Sequence, residues 1–201
     1  MTTMGKIRIQ VQAQPAGEPF TAASLLYLGP RAAVDQSLTR LTKELKLLRV
    51  ARGIYVRPKM NRFVGTVIPK VSEVLKALAE GKGETIHVHG AEAALRLGLT
   101  TQVPMKAIYY TDGPTRSLRI GQQEVFLKHA SQRLLTLCGS PAGLAFSALW
   151  FMGKGQVTPT TIAVIEAKLA PEAFSILRLS PVLPAWLKEI FHRYEMGAAN
   201  A

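Results

Sequence analysis

Residues 30–58 run PRAAVDQSLTRLTKELKLLRVARGIYVRP and carry two successive textures. In the first, Val34, Leu38, Leu41 and Leu45 recur at helical spacing and make one apolar stripe. Ala32, Gln36, Thr39, Arg40 and Lys43 fall on the opposite side. Pro30 suits the first helical turn, where its missing N–H is not needed. After Leu47 the texture turns to β: LLRVA, the pair Arg52-Gly53, then IYVR, closed by Pro58. A Gly-containing two-residue turn between short β-branched runs predicts a hairpin. A helix with a polar, basic outer face followed at once by a basic hairpin is the anatomy of a winged helix. Such a helix lies in the DNA major groove while its hairpin reaches the flanking backbone. Double-stranded DNA is the expected partner.

The charge distribution points the same way. The 201-residue chain has a net charge of +12 and a pI of about 10.1, which favours an acidic polymer. Residues 1–60 hold ten Lys/Arg against three Asp/Glu, and the remaining 141 hold fifteen against ten. The basic density therefore lies on the expected winged helix. A hydrophobic content of 48% with 19% charged residues describes a globular chain rather than a disordered one.

Cys138 is the single cysteine, which excludes an intramolecular disulfide and a cysteine-cluster metal site and fits a reduced compartment. The longest apolar run, Ala142 to Met152, is shorter than the roughly 18–20 residues a spanning helix needs. It fits a buried helix instead. The opening MTTMGKIRIQ lacks the apolar core of an export signal, so a cytoplasmic location and no membrane partner are expected.

Outward from the central stretch, Thr21 reads as the N-cap of TAASLLYLG, with Gly29 as its stop. This is the second helix expected in a helix-turn-helix. Before it, KIRIQVQAQ alternates like a strand, yet a winged helix opens with a helix; we expect a helix ending near Ala13. The DNA-binding domain is expected at 1–59. Beyond it, MNRFVGTVIP is a connector with some strand character, and PKVSEVLKALAEG is an amphipathic helix stopped by Gly81. ETIHVHG and MKAIYYTDG read as strands, with AEAALRLGL between them a helix ended by Gly98. RSLRI and QEVFLKHA make a hairpin around Gly121-Gln122. From Ser140 the texture is helical, in four segments bounded by prolines. The expected fold class is α+β: an N-terminal winged helix-turn-helix, then a mixed α+β domain at 60–201.

Two segments together suggest a family. SLLYLGPRAAVDQSLTRLTKELKLLRVARGIYVRP resembles the N-terminal winged helix of AbiEi-type antitoxins, from bacterial abortive-infection (type IV) toxin–antitoxin systems. HVHGAEAALRLGLTTQVPMKAIYYTDGP is similar to the opening of the second domain of those proteins and their relatives. The resemblance spans roughly residues 20–130. It implies an antitoxin that represses its own promoter and counteracts a nucleotidyltransferase-type toxin. The alternative is a stand-alone winged-helix regulator whose second domain senses or oligomerises.

The residues expected to meet DNA are Arg31, Gln36, Thr39, Arg40 and Lys43 on the helix and Arg49 and Arg52 in the hairpin. Arg pairs bidentately with guanine and Gln with adenine, each worth about 1–3 kcal/mol of discrimination. Lys43 is placed for a phosphate, and Arg52, at the hairpin tip, for phosphate or the minor groove. Tyr55 is expected to pack on the helix. The pair His87 and His89 has the spacing of metal ligands or of phosphodiesterase histidines, and with Asp112 suggests a nucleic-acid enzyme. No second H-x-H exists, however, and structural histidines are expected. Asp112 reads as a turn-former. There is no G-x-S-x-G elbow and no P-loop frame. We expect no catalytic constellation, no metal site and no cofactor.

Overall fold

The structure, a computed structural model, describes residues 1–63 and 65–198. Its class is mixed α+β. The chain divides into two compact units, residues 1–84 with 117–125, and residues 85–116 with 126 onward. The boundary expected near residue 59 falls within the first unit.

That unit opens with α1 (Thr3–Ala13), so KIRIQVQAQ is helical despite its alternation. The Thr2 side chain caps it by accepting from the Gly5 N–H at 3.3 Å. Ile7 and Val11, four residues apart, are buried, while Ile9 is 56% exposed. A short strand, β1 (Pro19–Thr21), leads into a 3-10 helix at Ala22–Leu28, with Thr21 Oγ1 accepting from the Ser24 N–H as its cap. Then come α2 (Arg31–Lys43), β2 (Leu48–Ala51) and β3 (Ile54–Val56). The strands form an antiparallel sheet in the order β1-β3-β2. Gly53, at φ +76°, takes the left-handed turn conformation between β2 and β3.

One expectation about α2 is corrected. Its apolar stripe is Val34, Leu38 and Leu41, but Leu45 is not part of it. The helix ends at Lys43, and Leu45 sits past the end, 76% exposed at φ +56°. The Leu45 N–H donates to the Thr42 carbonyl and the Lys46 N–H to the Leu41 carbonyl, a Schellman closure. That reversal swings Leu47 into the core, where it is fully buried beside Ile7, Leu25, Val34, Leu38 and Leu41. Tyr55 joins the same cluster.

The connector after Pro58 is a second antiparallel hairpin, β4 (Lys59–Asn61) with β5 (Gly65–Val67), and among the described residues no third strand joins it. Next, α3 (Val71–Lys82) packs on β1 and β3 through its buried Val74, Leu75 and Leu78 face. Gly81 does not stop it; the left-handed Gly83 does. Gly81 is needed for close approach, since a Cβ there would lie 2.7 Å from Thr21 Oγ1.

The second unit carries β6 (Ile86–Val88), α4 (Gly90–Arg96) and β7 (Ala107–Thr111). β6 and β7 pair antiparallel, and the strands β8 (Arg116–Ile120) and β9 (Gln123–His129) follow, their residues 117–125 belonging to the first unit. A short α5 (Gln132–Leu135) precedes the four expected helices, α6 (Pro141–Met152), α7 (Pro159–Glu166), α8 (Pro171–Arg178) and α9 (Ala185–Ala198). The apolar run 142–152 is thus the buried helix α6, packed closely on α4. No helix among the described residues is long and apolar enough to cross a membrane.

Candidate nucleic-acid interface

The surface of α2 follows from its core. Val34, Ser37, Leu38 and Leu41 face inward, so at about 100° per residue the opposite arc carries Ala32, Gln36, Thr39 and Lys43, with Arg40 at its margin; Arg31 lies off this arc, beside the buried stripe at Leu38. All five residues expected to read DNA are exposed. Two of them are held in ion pairs along the helix: Arg31 Nε donates to Asp35 at 2.9 Å and Arg40 Nε to Glu44 at 3.0 Å. Both pairs place the acid C-terminal to the base, the weaker orientation, and exposed pairs of this kind contribute about 0.3–0.5 kcal/mol. A phosphate or base edge replaces such a partner at little cost. Thr39 Oγ1 donates to the Asp35 carbonyl at 2.8 Å, leaving its oxygen as an acceptor.

Glu44 is the anionic centre of this surface. Arg8, Arg40 and Lys46 all approach its carboxylate, at 3.3, 3.0 and 3.2 Å. Hydrogen bonds from Lys46 and then Arg40 hold the Glu44 carboxyl below its ordinary pKa. Sequence reasoning missed this cluster, although the Arg40/Glu44 spacing signals the helical pair.

In the β2–β3 hairpin, Arg49 and Arg52 are exposed, with Arg52 in the tip beside Gly53. Lys43, Arg49 and Arg52 have no ion-pair partner among the described residues. Arg57 is used elsewhere: its Nη1 donates to the Gln12 carbonyl at 2.9 Å and ties β3 to the end of α1.

The histidine pair does not converge on a common space. His87 is buried, and its Nε2 bonds the Gly143 carbonyl at 3.1 Å. His89 lies past the end of β6 and caps α4, its Nδ1 accepting from the Ala91 N–H at 3.2 Å. The His89 ring rests against Tyr110 and Phe151, at centroid distances of 4.6 and 5.4 Å. Burial pushes both imidazoles below the ordinary histidine pKa. Asp112 Oδ1 accepts from the Thr85 N–H at 2.8 Å, and His129 Nδ1 contacts the Gly113 carbonyl at 3.0 Å, so both serve the turn between β7 and β8. No group of three or more His, Cys, Asp or Glu is placed to hold a metal ion among the described residues. Cys138 is half-buried, and burial pushes its thiol up.

Compared with known proteins, residues 6–175 match a family described as Family of unknown function (DUF6088). No curated protein and no solved structure matches the chain.

Proposed function

The chain belongs to DUF6088, a family of unknown function, and we propose that it is a DNA-binding autorepressor that acts as the antitoxin of a type IV toxin–antitoxin system. In this reading α1, the 3-10 helix and α2 are the three helices of a winged helix, and β2–β3 is its wing. One observation carries the proposal: the exposed surface of α2, with Gln36, Thr39, Arg40 and Lys43 on its outer side and Arg31 at its amino end, is followed at once by a hairpin whose free cations are Arg49 and Arg52. Lys43, Arg49 and Arg52 bind phosphates and set affinity, while Gln36, Thr39 and the two helix arginines select sequence. Seated on its own promoter, the protein excludes RNA polymerase. The antitoxin half of the proposal rests on the resemblance carried by HVHGAEAALRLGLTTQVP, with a nucleotidyltransferase-type toxin as the functional partner.

The test is binding to the DNA upstream of its own gene at several salt concentrations. Wild type binds selectively, and Arg31→Ala/Arg40→Ala loses about ten- to a hundredfold in affinity and most of the selectivity. Weak binding that is indifferent to sequence in both proteins rejects the repressor reading. Co-expression with a neighbouring nucleotidyltransferase gene tests the antitoxin half: growth is rescued only when this chain is present.

A further inference from the structure

The β4–β5 hairpin is built unlike the rest of the first unit. Among the described residues no third strand pairs with it, and every residue of β4 is exposed. Its side chains therefore bury little, yet two of them are large and apolar: Met60 is 71% exposed and Phe63, in the turn, 78%. Between Pro58 and Pro69 the chain carries Lys59 and Arg62 and no acid. The Arg62 guanidinium lies over the Phe63 ring, 4.4 Å from its centroid. The Asn61 side chain accepts from the Phe63 N–H at 2.8 Å, and Met60 is braced by Thr66 across the ladder. A marginal two-strand hairpin thus spends its local bonds on presenting one flat aromatic-guanidinium stack to solvent.

We infer that this hairpin is a second contact to duplex DNA, resting on the DNA-binding reading above: Lys59 and Arg62 meet phosphates while Phe63 inserts as a wedge against a base step in the minor groove. The chemistry favours that occupant over an apolar protein groove. The tip cation, Arg62, has no ion-pair partner among the described residues, and the aromatic face beside it is already stacked against its guanidinium, the pairing that suits a phosphate beside an exposed base. The wing and this hairpin then grip the duplex at separate places, the first reading backbone position and the second the ease of unstacking.

The test uses the full chain and a duplex of about 30 base pairs taken from upstream of its own gene. Phe63→Ser keeps the charge, so its Kd rises about tenfold with the salt slope unchanged. Arg62→Ala raises Kd and makes the slope shallower by about one. Both variants melt at the wild-type temperature, since the side chains removed are exposed. Wild-type affinity in Phe63→Ser overturns the inference. So does a wild-type dimer in sedimentation that Phe63→Ser dissolves, which assigns the tip to a second copy of the chain. Failure of the DNA-binding reading is distinguishable, because it shows in wild type alone as no selective binding, and it takes this inference with it.

Discussion

Leu45 holds a backbone conformation that an L side chain adopts at a cost of roughly 1–2 kcal/mol. The Schellman closure at the end of α2 requires it, because Leu45 and Lys46 must turn back to donate to Thr42 and Leu41. Its side chain recovers little of that cost, being mostly exposed. Leu45→Gly removes the strain while adding freedom to the unfolded chain, so the net expectation is a gain of about 0.5–1 kcal/mol. Urea unfolding measures it; a loss of stability in the variant shows that the Leu45 side chain packs in a way its exposure does not suggest. The same residue illustrates a limit of pattern reading. Leu45 continues the spacing of Val34, Leu38 and Leu41, and nothing in its identity announces a helix end, which glycine at that position would have done.

Elements built on an amphipathic face were legible, because burial of that face is what stabilises them. The stripe of α2 and that of α3 both appear in the spacing of their apolar residues. In α1 the period-two pattern concealed an i, i+4 pair, Ile7 and Val11, and the core selected the helix. The β4–β5 hairpin read only as a connector with strand character, since its residues alternate toward no core. The site shared this division: the exposed arc of α2 follows from its stripe, whereas the clustering of Arg8 and Lys46 on Glu44 needs the fold. Close packing of α4 on α6 was equally hidden, and it explains part of HVHGAEAALRLGL in physical terms. His89 caps α4, Gly90 admits the neighbouring helix, and Ala93 and Ala94 are buried behind it. A Cβ on Gly90 would lie 2.3 Å from the Ser147 carbonyl oxygen and 2.2 Å from Phe151 Cβ. Gly90→Ala must therefore push the helices apart, at about 1–3 kcal/mol. Thermal unfolding of the variant reads that loss, and wild-type stability would mean the contact relaxes without cost.

At the scale of the molecule, the buried His87 and half-buried His89 imidazoles tie stability to pH. Burial is the main cause that lowers His87, partly offset by the Gly143 carbonyl; His89 is lowered by burial and then by Lys128. Charging His89 also abolishes the acceptor at Nδ1 that caps α4. Unfolded, both rings return to an ordinary value of about 6.5. Between the folded values and 6.5 the unfolded chain binds more protons, so stability rises with pH in that window. It is complete above about 6.5, falls as the pH drops through 6.5 toward the folded values, and levels off below them. The net charge of +12 acts in the same direction, since each added proton on the chain increases self-repulsion. Trp150 and Trp186 are the chain's two tryptophans and both lie in the second unit with these histidines, so their fluorescence reports that unit's unfolding. The urea midpoint is expected to fall between about pH 7.5 and 5.5. In His87→Gln/His89→Asn it stays nearly flat, because Gln can still donate to the Gly143 carbonyl and Asn still caps α4. A wild-type midpoint that does not move across that range would place the folded imidazoles at the ordinary value and remove burial as their controlling influence.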